Sequence, residues 1–146
     1  MESTINSVVS FGSYQSVLKT LYKKGQMPSV KKGLYGDILT KDNVSLEHLK
    51  PHSKGGETIL SNLALASKRT NNSRGNKPLT DVLNWEMLKE YLDQFNFNIK
   101  GKFNGEEYQK MILKTCEELG VTNPSQTVKN VANTAKKHGK KFKRWG

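Results

Sequence analysis

Glu47 and His48 stand side by side just before the stretch Leu49-Lys50-Pro51-His52-Ser53-Lys54-Gly55-Gly56, a composition that no apolar core would select. A carboxylate can hold a hard cation, and a neutral imidazole can accept a proton. On a strand, neighbouring side chains point to opposite faces, so the pair can serve two tasks. Asn62 follows His48 by fourteen residues, and Asn71 comes nine residues later. An amide ligates through its oxygen or orients an imidazole by a hydrogen bond. His52 has the four-residue spacing of a helical ligand pair with His48. Pro51 lies between them and makes the segment a loop, which leaves phosphate contact or plain solvation for His52.

Taken together, Glu47-His48, Pro51 with Gly55-Gly56, Asn62-Leu63 and Asn71 with Arg74-Gly75-Asn76-Lys77-Pro78 resemble the His-Asn-His (HNH) endonuclease family, over about Leu34 to Leu79. The resemblance implies a ββα-metal (His-Me finger) core and hydrolysis of phosphodiester bonds in DNA. By position, His48 matches the general base and Asn62 the residue that orients it. Glu47 matches the metal-binding acid, more often Asp in the family. Asn71 takes the place of the last His, as in His-Asn-Asn variants such as the target-strand nuclease domain of CRISPR effectors. The implied cofactor is Mg²⁺ or Mn²⁺ held by Glu47 and Asn71. No structural zinc is expected, because the paired Cys-X-X-Cys motifs of many members are missing. Leu34-Tyr35-Gly36-Asp37 stands where the first pair often lies, so packing is expected to hold the hairpin.

The elements that must position these residues can be read from pattern. Tyr14 to Lys24 has helical spacing of Val17, Leu18, Leu21 and Tyr22, closed by Gly25 and Pro28. Leu34–Thr40 and Val44–Leu49 read as two strands joined by a turn at Lys41-Asp42-Asn43. Pro51 to Gly56 is loop, and Leu60–Ala66 is short and apolar. Ser67 can cap a helix running to about Ser73, with Gly75 as its stop. Pro78 and Thr80 open a helix with Leu88, Tyr91, Leu92 and Phe95 on one face, and Phe97 and Ile99 alternate as in a strand. Glu106–Leu119 is amphipathic, with Cys116 near its apolar face as buried packing. Val128 to Ala135 suggests a weak last helix.

These elements make an α+β fold with a ββα-metal core, flanking helices and basic arms. The expected divisions are a basic helix and connector at 1–33, the nuclease core at 34–79, helical support at 80–119, and a weak helix with a basic tail at 120–146.

The 146 residues carry a formal charge of +11, with 24 Lys and Arg against 13 Asp and Glu. Residues 1–33 hold +4, residues 34–118 are neutral, and residues 119–146 hold +7. This favours a polyanion as partner and disfavours an acidic scaffold. The expected nucleic-acid contacts are Lys50, Lys54, Lys68, Arg69, Arg74 and Lys77 around the motif, and Lys136, Lys137, Lys140, Lys141, Lys143 and Arg144 in the tail. Phe142 and Trp145 add stacking surface there, whereas His138 reads as solvated. DNA is the expected partner and RNA the second candidate, with a homodimer or protein partner left open. The single cysteine excludes a disulfide framework. With no apolar run of membrane length and no secretory signal, the expectation is a cytoplasmic protein, not secreted, of a bacterial or phage-infected host. Two alternatives stay open: a catalytically silent binding, regulatory or inhibitor protein of the same fold, and a toxin or defence nuclease of broad specificity.

Overall fold

A computed structural model describes residues 11–125. Its first helix, α1 (Phe11–Lys23), buries Leu18 and Leu21 against the small sheet that follows. The connector after it is held by one side chain. Gln94 Oε1 accepts the Lys31 and Lys32 amides, each at 2.8 Å, and Gln94 Nε2 donates to the Lys32 carbonyl at 2.9 Å.

The strand reading of Leu34–Thr40 requires correction. The segment forms a turn, with the Gly33 amide bonded to the Asp37 carbonyl at 2.9 Å and Gly36 at φ +88°. One isolated bridge, Lys32 to Ile38, is its only ladder contact. The turn at 40–43 forms as expected, closed by the Thr40 amide on Asn43 Oδ1 at 2.8 Å. It leads from loop to strand rather than from strand to strand.

The partner of β1 (Val44–His48) is β2 (Leu63–Ser67), antiparallel, with Val44 opposite Ser67 and His48 opposite Leu63. Every residue of β2 is buried, so the strand is covered on both faces. That explains its nearly continuous apolar run. Ser67 then turns the chain into α2 (Lys68–Arg74): Ser67 Oγ accepts the Thr70 amide at 3.2 Å, and Gly75, at φ +56°, ends the helix. Both bounds agree with the sequence to within a residue. The order strand, long loop, strand, helix places α2 back against β1.

The helix expected to open at Pro78 starts later. Leu79–Asp81 is a single 3-10 turn, and α3 (Trp85–Leu92) begins where Asn84 Oδ1 accepts the Met87 amide at 2.9 Å. A two-residue hairpin pair, β3 (Asn98–Ile99) and β4 (Phe103–Asn104), leads into α4 (Gly105–Glu118). The α+β expectation therefore holds, with mixed helices and two small antiparallel sheets. Leu88, Tyr91, Phe95, Tyr108, Ile112 and Cys116 join Leu63 and Leu65 in one core. No described helix is long and apolar enough to cross a membrane. The helix suggested at Val128–Ala135 and the basic tail lie outside the described residues.

Two tyrosines from the helical half finish the sheet. The Leu65 amide donates to Tyr91 Oη at 2.9 Å, and Tyr108 Oη donates to the Leu63 carbonyl at 2.7 Å. The hydroxyls meet at 2.8 Å. Because Tyr108 gives its only proton to a carbonyl, Tyr91 must be the donor between them. The outer edge of β2 is thus closed by side chains instead of a third strand.

Candidate active site

His48 is the last residue of β1, where the ladder gives way to the loop. Its ring is half-buried, and Nε2 lies 2.8 Å from Thr58 Oγ1. The His52 ring is 6.1 Å away, centre to centre. Burial pushes the His48 pKa below the ordinary imidazole value, and the nearby charges of His52 and Arg74 push the same way. Both effects favour the uncharged ring, the state in which it can accept a proton.

The loop behind it is tied down by Asn62, which is buried. Asn62 Oδ1 accepts the Lys50 amide at 2.9 Å, while Nδ2 donates to the carbonyls of Lys50 at 3.1 Å and Glu57 at 2.8 Å. Three of the amide's four hydrogen-bonding positions are thereby spent on backbone. Asn62 makes no hydrogen bond to the imidazole: it shapes the loop, and Thr58 is the residue at the ring. Gly56 is required here, since a Cβ at that position would lie 1.9 Å from the Lys50 carbonyl oxygen. Ser53 Oγ reaches Asn76 Oδ1 at 3.1 Å and ties the loop to the chain beyond α2.

Asn71 and Arg74 dock α2 onto β1. Asn71 Nδ2 donates to Ser45 Oγ at 2.9 Å and to the Leu46 carbonyl at 2.8 Å. Arg74, expected among the phosphate contacts, is 2% exposed and lies inside the protein. Its Nη1 donates to the His48 carbonyl at 2.7 Å, Nη2 to the Leu49 carbonyl at 2.8 Å, and Nε to the Lys77 carbonyl at 2.9 Å. The same Nη1 lies 3.4 Å from Glu47 Oε2. With its guanidinium fully engaged, Arg74 cannot reach a nucleic acid.

Glu47 is buried as well, and its Oε2 accepts the Tyr35 hydroxyl at 2.5 Å. Burial raises the Glu47 pKa, while Tyr35 and then Arg74 hold it down. Arg74 already neutralises this carboxylate, and both Arg74 and Tyr35 act on Oε2, so the group is committed to the protein rather than presented as an open cation ligand. Among the described residues, no three His, Cys, Asp or Glu side chains converge as a metal-holding group. Of the two expected ligands, Asn71 is fixed through Nδ2 and leaves Oδ1 out of its bonds, whereas the Glu47 contacts fall on Oε2.

Lys50, Lys54, Lys68, Arg69 and Lys77 are exposed on the loop, on α2 and just beyond it. Lys136, Lys137, Lys140, Lys141, Lys143 and Arg144 lie outside the described residues. Tyr35 and Thr58 were not singled out as site residues from sequence. Thr58 carries no local signal, and Tyr35 is marked only by its place in the turn before β1. Comparison with known proteins finds no matching family model, no matching curated protein and no matching solved structure.

Proposed function

We propose that this protein is an HNH-type DNA endonuclease, with residues 44–74 as a ββα-metal core and His48 as its general base. The observation that carries the reading is a half-buried imidazole at the end of β1, its Nε2 2.8 Å from Thr58 Oγ1, beside a loop that Asn62 ties down and that carries the exposed Lys50 and Lys54. In the reaction, His48 takes a proton from water, and the oxygen attacks phosphorus. The P–O3′ bond breaks, the 3′-oxygen leaves with a proton from solvent, and a 5′-phosphate remains. Lys50, Lys54, Lys68, Arg69 and Lys77 would meet backbone phosphates.

The resemblance also implies Mg²⁺ or Mn²⁺, which would supply charge to the phosphate and the leaving oxygen. Asn71 Oδ1 is the oxygen this chain would offer it. Incubation of supercoiled plasmid with Mg²⁺, Mn²⁺ or EDTA, with His48→Ala in parallel, tests the proposal. General-base help is typically worth ~10²–10⁴-fold, so the variant should lose at least that much cleavage while still binding DNA. Undiminished cleavage by His48→Ala would remove the assignment.

One observation favours a second reading. With Glu47 locked in a buried ion pair, the same architecture also suits a nucleic-acid-binding protein without catalysis. Tight DNA binding by the wild type with no cleavage under any cation would select it.

A further inference from the structure

We infer that Tyr35, Glu47 and Arg74 form a positioning unit for His48, in which Glu47 serves the arginine rather than a cation. The inference rests on the nuclease reading. Three separate segments meet at one point: the turn before β1 gives Tyr35, the strand gives Glu47, and the last turn of α2 gives Arg74. The guanidinium forks onto two successive carbonyls, those of His48 and Leu49. That fork fixes the backbone on the C-terminal side of the imidazole, just where the strand ladder stops. Glu47, the residue before His48, is held in turn by Tyr35 and Arg74 on its Oε2. The imidazole therefore projects from a backbone anchored at its own carbonyl and at the residues on either side.

Each member depends on the others. Arg74 needs a counter-charge to remain buried, and Glu47 supplies it. Tyr35 donates to Glu47 at 2.5 Å and lies 3.5 Å from Arg74 Nη1, which fixes the carboxylate's orientation. None of the three is hydrogen-bonded to the ring of His48; they act on it through its backbone. Misplacing a reactive group by about 1 Å costs on the order of 10²-fold in rate, so such a grip has a catalytic effect out of proportion to its contribution to binding.

The test uses the full chain with Tyr35→Phe, Glu47→Gln and Arg74→Lys. Three quantities are measured: single-turnover cleavage at saturating DNA, DNA affinity, and the His48 ring signals in heteronuclear NMR of the free protein. Tyr35→Phe and Glu47→Gln should fold, bind DNA as the wild type does, lose about tenfold or more in rate, and shift the His48 ring signals. Arg74→Lys keeps the charge but not the fork and should not restore the rate. The Mg²⁺ or Mn²⁺ concentration for half-maximal cleavage should be unchanged in Glu47→Gln. A more than tenfold rise in that concentration, with the rate recovering at high metal, would make Glu47 a ligand and overturn the inference. So would ring signals identical to wild type in both Tyr35→Phe and Glu47→Gln. If the wild type cleaves nothing, the nuclease reading fails on its own, and the ring signals still decide whether the unit positions His48. Should Arg74→Lys fail to fold, Tyr35→Phe carries the test, because it removes a single hydroxyl.

Discussion

Two hydrogen-bonded clusters finish the same small sheet, and they are built differently. At the outer edge of β2, a neutral chain runs from the Leu65 amide through Tyr91 and Tyr108 to the Leu63 carbonyl. Each donor meets one acceptor, and both rings are fully buried among apolar neighbours. At the open end of β1, Arg74 and Glu47 bring opposite charges inside, with Tyr35 bridging them. The neutral chain satisfies an edge that would otherwise be an orphan, and an apolar core tolerates it because it carries no charge. The charged cluster faces a harder task, since it must stop a strand at one residue and hold two consecutive carbonyls. A planar fork does that, and a single hydroxyl cannot. The lesson is that the sheet is closed by neutral groups where only satisfaction is needed, and by an ion pair where a backbone position must be specified.

The largest expected effect comes from breaking the ion pair on one side. Arg74→Met should cost about 3–5 kcal/mol, because it leaves Glu47 buried without its counter-charge. Urea denaturation of Arg74→Met against Arg74→Met with Glu47→Gln measures this. The double variant should recover part of the loss, since removing the second charge removes the penalty. Additive losses would mean that the two residues act independently and that the cluster is not a unit.

A smaller effect is expected from the neutral chain. Tyr108→Phe leaves the Leu63 carbonyl without its donor and the Tyr91 hydroxyl without its acceptor, at a cost of about 1–3 kcal/mol. Tyr91→Phe strands the Leu65 amide in the same way. The double variant should cost less than the sum, because the shared bond can be lost only once. If cleavage is observed, neither variant should change its rate at saturating DNA below the melting transition. A rate loss equal to that of Tyr35→Phe would erase the distinction between the clusters.

How far the sequence showed these regions differs for physical reasons. α2 was readable because its signals are local: Ser67 at the cap, Asn71 inside, Gly75 at the stop. The pairing of β1 was not readable, because Leu34–Thr40 is nearer in sequence and rich in strand formers, while the actual partner lies beyond a fourteen-residue loop. What turns 34–37 away from a strand is a glycine turn whose Leu34 amide docks on the Leu65 carbonyl at 2.8 Å. His48 stands out in the sequence by its type and neighbours, and the structure places it at the end of β1. The role of Arg74 was misread because an arginine on a basic helix beside a polyanion site looks like a phosphate contact. Only the fold reveals that its charge is matched internally by Glu47. Asn62 was found as important, but its action on the loop backbone depends on Lys50 and Glu57 coming together, which no spacing rule shows.

Between these effects and the smallest stands the loop. Asn62→Ala removes three backbone hydrogen bonds at once and should cost on the order of 2 kcal/mol. Because it leaves the Tyr35–Glu47–Arg74 cluster in place, limited proteolysis should first cut within 50–58 while the rest of the fold resists. Cutting elsewhere first would mean that the loop is held by something other than Asn62.

The smallest effect reports on both clusters through Cys116. Its thiol is fully buried in α4, and burial pushes its pKa up to about 12. The positive charge of Arg74 draws it down slightly, and the thiolate form in turn opposes ionisation of Tyr91 and Tyr108. Since the folded pKa lies above the unfolded value of about 8.5, the folded state holds the proton more tightly. The stabilisation is complete below about pH 8.5 and declines as pH rises from there towards 12. At pH 9 the loss is on the order of 1 kcal/mol relative to pH 7. Denaturation at the two pH values, for wild type and Cys116→Ala, measures it: the variant should lose that part of the alkaline slope. An alkaline slope in Cys116→Ala equal to that of the wild type would mean that the thiol is not its source.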